Sequence, residues 1–339
     1  MKRLVFKRAM MQRYRAITHF IDPLIQEGYN LTIEVQSDKF DFKKMQEMPM
    51  NASKASKKSV QYLMKNFGIK CKHIDKVHFV LEKNKAKGLL LSVDDKTFSK
   101  DYMSLPYTSF YCNDNGVEQL TGNPMCSLLR EYQNDFREEK KTLLLIHPGG
   151  GRGYISPVRS HIPKKDVIKN HIKLLKRIVK QIPDSIKKIT LKTHPVPYLF
   201  CGEKGINKHV IGEVQKVSPC SIEVVQDGLM LQLARHEFIV NLGSSSTIWL
   251  LGSDKKWINL RGLAKFSYQK HRDHRERTEN WFDWPQHTKL DGLKSLILNY
   301  EDEVFLNKKN AEIREKYKKI YRLNAVESVM DLIRERTSH

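Results

Sequence analysis

Long apolar runs are missing from this chain of 339 residues. A membrane-spanning helix needs about 18 consecutive apolar residues, and no stretch approaches that length. The opening residues, MKRLVFKRAMMQRYR, carry charges too often for the apolar core of a signal peptide. Cysteine is also scarce: the five cysteines are widely spaced and never form CxxC, which argues against a zinc site or a disulfide framework. We therefore expect a cytoplasmic protein, either free or peripheral on the inner face of the cell membrane.

Acidic residues are too few to balance the basic ones. The chain has 60 lysines and arginines against 38 aspartates and glutamates, a formal net charge of +22. Because unpaired charges are rarely buried, this surplus must lie on the surface, where it favours an anionic partner. Nucleic acid, an anionic membrane surface and a phosphorylated or carboxylated substrate all fit, and net charge alone does not choose among them.

The order of apolar segments predicts an α/β fold. The chain opens with a strand pattern, a helical pattern over residues 14–26 and a second strand pattern, and Gly28 stands where a helix C-cap is expected. The polar stretch EYQNDFREEKK separates this half from the next. We predict Rossmann-like domains over residues 1–138 and 139–305. Helices within residues 306–339 should cross back to the first domain, because their apolar stripes need a surface.

The second half repeats the alternation more regularly. Its strand patterns are TLLLI, KITLKT, SIEVVQ, FIVNL and WINL. Doubly wound sheets bind ligands beyond the carboxyl ends of their strands. The unusual residues of this half follow those ends, at positions 147–153, 194–195, 227–228 and 243–246.

Three consecutive glycines follow the strand TLLLI. Gly149, Gly150 and Gly151 would let backbone N–H groups approach a phosphate closely, and Arg152 would add positive charge. The loop matches neither the nucleotide P-loop pattern nor the dinucleotide fingerprint. A tight turn without a ligand is the alternative interpretation.

Two further strand ends carry polar side chains. KITLKT continues into KTHPVP, where Lys192 and His194 precede a proline that keeps the backbone of His194 extended. FIVNLG continues into three serines, whose hydroxyls can cap a helix and bind an anion. They are Ser244, Ser245 and Ser246. Capping alone would explain one serine better than three.

A strand ending in K-x-H-P, followed about fifty residues later by a strand that runs into S-S-S, resembles the C-terminal half of bacterial GT-B glycosyltransferases of the surface-polysaccharide type. These include sialyltransferases and polysialyltransferases, Kdo transferases and CDP-glycerol polymerases. The resemblance covers roughly residues 142–260. It implies two domains facing a central cleft, an acceptor domain first and a donor domain second. It also implies that His194 hydrogen-bonds the donor phosphate and assists its departure, while the three serines hold that phosphate.

The sialyltransferases of this group have a D/E-D/E-G motif whose carboxylate takes the acceptor proton. The nearest match here is NDNG, with Asn115 where a second acid is expected, so Asp114 is the first candidate for the general base. The pair Asp94 and Asp95, just after the strand pattern GLLLSV, is the second location, and Asp95 is its candidate. A reverse turn is the alternative for NDNG, because Asn-Gly is a common turn dipeptide.

Two other functions stay open. UDP-N-acetylglucosamine 2-epimerases have similarly organised halves and a histidine at the end of the same strand, but this chain reads STIWLLGS where that family has an acidic cluster. A nucleic-acid-binding protein would fit the charge and the segment KYKKIYR. In that segment Tyr317, Ile320 and Tyr321 fall on one helical face, which favours packing over base stacking.

The resemblance leads us to expect transfer of a sugar or glycerol phosphate from a CMP- or CDP-type donor to a surface polysaccharide or glycolipid. No DxD flanked by apolar strand residues occurs, so we expect no metal and no other cofactor, with lysine, arginine and backbone N–H groups neutralising the phosphate. The expected partners are the nucleotide sugar, the glycan or glycolipid acceptor and an anionic membrane surface, and no nucleic acid. The expected donor-binding residues are 149–152, Lys192, His194 and 244–246.

Overall fold

The computed structural model describes residues 2–9, 14–35, 61, 64, 68–81, 89–92, 103–104, 111–114, 117–146, 164–192, 204–225, 228–242, 247–250, 253–260, 287–316 and 324–338. The chain forms two compact units. One consists of Met1–Glu131 with Lys319–His339, and the other of Tyr132–Lys318. Each unit is built on its own sheet.

The elements alternate along the chain as the sequence predicts. The helices of the described residues are α1 (Tyr14–Gln26), α2 (Pro124–Asp135), α3 (Lys164–Val179), α4 (Lys204–Gln215), α5 (Leu229–Arg235), α6 (Thr247–Leu250), α7 (Leu293–Asn299), α8 (Glu303–Lys316) and α9 (Ala325–Thr337). The strands are β1 (Arg3–Ala9), β2 (Asn30–Val35), β3 (His78–Leu81), β4 (Leu89–Ser92), β5 (Met103–Ser104), β6 (Tyr111–Asp114), β7 (Val117–Leu120), β8 (Glu139–Ile146), β9 (Lys188–Lys192), β10 (Ser221–Val225), β11 (His236–Asn241), β12 (Lys256–Leu260) and β13 (His287–Thr288).

The first sheet has the strand order β3-β2-β1-β4-β5-β6-β7. The strands from β3 to β5 pair in parallel, whereas β6 and β7 form an antiparallel hairpin at one end of the sheet. The order reverses between β1 and β4. This reversal is the topological switch point, where a doubly wound sheet opens a crevice at the carboxyl ends of its strands.

Helix α1 ends as its sequence predicts. Gly28 has φ of +82°, a left-handed conformation that glycine adopts without a Cβ penalty. The Gly28 N–H donates to the carbonyl of Ile25 at 3.1 Å, and the Tyr29 N–H donates to that of Leu24 at 3.0 Å. These two bonds form a Schellman cap, which satisfies the last helical carbonyls and turns the chain into β2.

Helix α9 crosses back to the first unit, and this part of the predicted fold is confirmed. The Tyr29 hydroxyl bonds the Thr337 hydroxyl at 2.7 Å, and Arg334 forms an ion pair with Glu27, just after the end of α1. The side chain of Ile333 is fully buried. Helix α8, which we predicted to join α9, lies instead in the second unit.

The second sheet is wholly parallel, with the strand order β10-β9-β8-β11-β12-β13. Numbered within the unit, this order is 3-2-1-4-5-6, the arrangement of dinucleotide-binding doubly wound sheets. Its core joins apolar side chains of β8, β9, β11 and β12 to those of α3, α4 and α7. The switch point therefore lies between β8 and β11.

A buried lysine joins three elements where the strands of the second sheet begin. Lys255 is 3% exposed, and its ammonium donates to Glu138 Oε2 at 2.6 Å, to the Ala234 carbonyl at 2.5 Å and to the His236 carbonyl at 2.9 Å. All three ammonium protons thus have acceptors, which compensates for the loss of hydration. The ammonium also satisfies carbonyls at the end of α5, where a cation is favoured.

The start of β8 contains a bulge held by a carboxylate. Lys141 has φ of +58°, a strained conformation for a residue with a Cβ, and the register with β11 shifts at this point. Its N–H donates to Glu237 Oε2 at 2.6 Å, and Lys256 Nζ donates to Glu237 Oε1, also at 2.6 Å. Glu237 therefore takes up a backbone donor that the irregular pairing would otherwise leave unsatisfied.

His236 is buried in its neutral form. Its Nδ1 lies 2.8 Å from the Gln232 carbonyl and its Nε2 lies 2.7 Å from the Thr190 hydroxyl. Burial lowers the pKa of His236 below its ordinary value of 6.5. We infer that Nδ1–H donates to the carbonyl and that Nε2 accepts from the hydroxyl, which links β11 to β9.

Candidate functional site

The carboxyl edge of the second sheet brings two of the predicted loops to neighbouring strands. Ile146 ends β8 and pairs in register with Asn241, which ends β11. The Leu242 N–H then donates to the Ile146 carbonyl at 3.1 Å, so the two strands stay together until they end. The glycine segment follows β8 and the serine segment follows β11. Both segments therefore start side by side at the switch point.

A row of buried polar residues crosses this edge. Lys192 at the end of β9 pairs in register with Ile146, and Asn259 near the end of β12 pairs with Asn241. Lys192 is 3% exposed, Asn241 is fully buried and Asn259 is 6% exposed. Buried polar side chains need polar partners to offset their desolvation, so this row makes the carboxyl edge the polar end of an otherwise apolar sheet.

Sequence reasoning selected Lys192 in this row and missed the two asparagines. Both stand in the same local pattern, an apolar strand followed by Asn-Leu, at 241–242 and at 259–260. This repetition is a signal that could have identified them. Their adjacency could not have been identified in that way, because it depends on the parallel pairing of β11 with β12.

Most predicted donor-site residues lie outside the described residues. Each comes within ten positions after the end of a strand whose position is known. They are Gly149, Gly150, Gly151 and Arg152 after β8, His194 after β9, and Ser244, Ser245 and Ser246 after β11. Their roles stay predictions.

Asp114 lies in the hairpin of the first sheet. It ends β6 and pairs with Val117, the first residue of β7. The two residues between them lie outside the described residues. Because β6 runs antiparallel to β5, it ends at the edge where the parallel strands begin. Asp114 therefore lies away from the carboxyl edge, where doubly wound sheets bind ligands, and its role as a base stays a prediction.

The second candidate base has a different setting. Asp95 lies outside the described residues, three positions after the end of β4 at Ser92. β4 pairs directly with β1, so the segment that contains Asp95 leaves the first sheet at its switch point. Crevices form at this position in doubly wound sheets.

A Cys-His-Asp cluster in the first unit is structural. Asp22 of α1 accepts backbone N–H bonds from Lys72 at 2.7 Å and from His73 at 2.8 Å, and it lies 3.1 Å from His73 Nδ1. Burial, together with the Asp22 charge, raises the pKa of the Cys71 thiol to about 12. A thiol with that pKa stays protonated at neutral pH and is a poor nucleophile. The cluster therefore anchors the turn at Ile74–Lys76 to α1.

The described residues contain no group of three or more histidine, cysteine, aspartate or glutamate side chains placed to hold a metal ion. Within the same residues, no helix has the length and apolar character needed to cross a membrane.

Comparison with solved structures identifies the fold. A protein from Listeria monocytogenes described as a UDP-N-acetylglucosamine 2-epimerase aligns with a TM-score of 0.50 at 9% identity, over 99% of this chain and 96% of the other. The S. aureus MnaA–UDP co-structure aligns with a TM-score of 0.47 at 11% identity, over 100% of this chain and 97% of the other. MurG from Acinetobacter baumannii aligns with a TM-score of 0.45 at 12% identity, over 99% of this chain and 100% of the other. Neither a protein-family model nor a curated protein sequence matches the chain. The predicted fold class, α/β with two Rossmann-like domains of the GT-B type, is confirmed.

Proposed function

We propose that this chain is a glycosyltransferase of the GT-B type. It would move a sugar, or a glycerol phosphate unit, from a CMP- or CDP-linked donor to a surface polysaccharide or glycolipid. The observation that carries the proposal is the start of the glycine and serine segments on adjacent strands, at the switch point between β8 and β11. Phosphates bind at this position in doubly wound sheets.

The donor phosphate would lie between these segments. Backbone N–H groups of the three glycines and the Arg152 guanidinium would hold one side of it, and the serine hydroxyls would hold the other. Lys192 supports this arrangement, because it is a buried cation that pairs in register with the last residue of β8. A positive charge at the edge of the sheet would favour a phosphate next to it.

The leaving group would be assisted by His194, two residues after Lys192. One hydrogen bond to a charged phosphate is worth about 1.5–3 kcal/mol. Replacing His194 with alanine should therefore weaken donor binding and slow turnover roughly tenfold to a hundredfold. The acceptor proton would go to a carboxylate of the first unit, and the sheet topology favours Asp95 over Asp114. Asp95→Asn should slow transfer and spare donor affinity.

A second candidate is a UDP-N-acetylglucosamine 2-epimerase. The Listeria monocytogenes protein with the shared fold favours it. The residues after the serines do not, because Trp249 and Leu250 of α6 are buried and apolar where a catalytic acid would need access to substrate. An epimerase would interconvert its nucleotide sugars without an acceptor, whereas a transferase would release free nucleotide only when an acceptor is present.

Thermal-shift measurements with CMP, CDP, UDP and GDP test the proposal. Binding to the native state raises the melting temperature, and we expect the largest shift with a cytidine nucleotide. The same nucleotide should shift Lys192→Met much less, while the exposed-site control Lys294→Met should respond like the wild type. No shift with any nucleotide, together with salt-dependent binding of polynucleotide, would favour the nucleic-acid-binding alternative instead.

A further inference from the structure

Exposed basic side chains form a line along the outer face of α3, which we call the basic stripe. It consists of Lys169, Lys173 and Arg177 of α3 and of Lys180, the residue that follows the helix and whose N–H still donates to the Lys176 carbonyl. At 100° and 1.5 Å per residue, these four positions fall within an arc of about 80° and span about 16 Å. The core-facing residues Leu175, Ile178 and Val179 lie on the opposite side of the helix.

The basic stripe has no ion-pair partner among the residues that the structure describes. The neighbouring Lys176 pairs with Glu213 of α4 at 2.8 Å, and Glu213 also pairs with Lys216. Glu213 of α4 is therefore already paired with two lysines. Like charges four residues apart, as at Lys169–Lys173 and Lys173–Arg177, destabilise a helix. The stripe thus weakens α3 without a compensating ion pair from the described part of the unit.

Two other helices arrange their charges differently from α3. Helix α8 mixes acids and bases along its length and pairs Lys309 with Glu312, and Arg314 with Asp254. Helix α9 likewise places acids beside Arg334. A face with four basic side chains and no described ion pair therefore distinguishes α3 from α8 and α9, and it favours an anionic partner for this face.

We propose that the basic stripe binds the second unit to an anionic lipid surface. A straight line of basic side chains on the outer face of a helix fits a flat array of negative headgroups. Single-stranded nucleic acid is usually held in a groove with aromatic side chains for base stacking. Among the described residues, the exposed large apolar side chains are Leu298 and Val304, and neither is aromatic. The contact would be electrostatic and therefore weakened by salt.

Vesicle co-sedimentation of the full chain tests this inference separately from the nucleotide site. We expect binding to phosphatidylglycerol vesicles, loss of that binding at high salt, and none to phosphatidylcholine vesicles. Neutralising two stripe residues, Lys173→Gln with Arg177→Gln, should lower the partition coefficient about thirtyfold. The matched control Lys294→Gln with Lys308→Gln removes the same charge from exposed positions of α7 and α8. It should lower the partition coefficient by less than about threefold.

Circular dichroism of each variant checks that the helices are retained, and nucleotide thermal shifts should be equal in all of them. Equal losses of vesicle binding in the stripe and control variants would overturn the proposal, because they would show that binding responds to net charge alone. Absence of binding to phosphatidylglycerol vesicles would also overturn it. Polynucleotide binding that the stripe variant alone loses, without vesicle binding, would assign the stripe to nucleic acid instead.

Discussion

Replacing Lys255 with methionine should destabilise the second unit by about 2–4 kcal/mol. Removing one partner of a buried ion pair typically costs about 3–5 kcal/mol. Glu138 is 31% exposed, so water can hydrate its freed carboxylate and reduce that cost to about 1 kcal/mol. The carbonyls of Ala234 and His236 lose their shared donor in a buried setting, which adds about 1–3 kcal/mol. Methionine keeps most of the chain length, so the packing loss should be small.

Tryptophan fluorescence during urea unfolding can measure this change in the second unit alone. All four tryptophans of the chain, at positions 249, 257, 281 and 284, fall within Tyr132–Lys318. Lys294→Met, at an exposed position, should stay within about 0.5 kcal/mol of the wild type. A loss below about 1 kcal/mol in Lys255→Met would refute the reasoning, because it would mean that the ammonium contributes little net stability.

The loss of stability caused by Lys255→Met should also depend on pH. Lys255 and Lys140 hold the pKa of Glu138 below its ordinary value of 4.5, in spite of partial burial that acts in the opposite direction. A carboxyl group with a lowered pKa stabilises the fold above its unfolded-state pKa and loses that contribution as pH falls through its folded-state pKa. The difference between wild type and Lys255→Met should therefore shrink as pH falls below 4.5.

Three further changes test other parts of the structure. Lys141→Gly should raise the stability of the second unit by about 0.5–1 kcal/mol, because glycine adopts positive φ without strain; a loss in the same urea titration would contradict the bulge geometry. His236→Asn should remove part of the acid sensitivity of the tryptophan-monitored transition: the unfolded state binds a proton more readily than the buried imidazole, so wild-type stability falls as pH drops below 6.5. An unchanged pH slope would show that His236 isn't buried in its neutral form. Ile333→Ala should destabilise the first unit by about 3 kcal/mol through a cavity under α9. Circular dichroism should then show the first unit unfolding at lower urea, a transition that tryptophan fluorescence from the second unit does not follow. Coincident transitions would argue that the two units do not unfold independently.

Strongly periodic segments could be predicted from the sequence. Helix α1 and strand β2 occupy the residues expected, since an amphipathic stripe, a capping glycine and a β-branched run all agree there. Helix α4 was missed, because only Val210 and Val214 of its described side chains are buried and Gly212 interrupts the pattern. Helix α2 was missed because its buried residues end at Leu129 and its second half reads as a polar linker.

Long-range pairing could not be predicted in the same way. The glycine and serine segments were selected by composition, but their adjacency follows from the pairing of β8 with β11, about a hundred residues apart. A reverse turn at NDNG was an alternative interpretation that the sequence left open. Only the direction of β6 shows that Asp114 lies away from the carboxyl edge of the sheet. Lys255, Glu237 and His236 satisfy partners far away in sequence, and such pairs have no local pattern.

The most direct test of the central claim is a crystal structure of the protein soaked with the nucleotide that gives the largest thermal shift. The account predicts density for a phosphate within hydrogen-bond distance of the glycine segment after β8 or the serine segment after β11, close to Lys192. A nucleotide bound in the first unit, or on the second unit away from the switch point between β8 and β11, would contradict it.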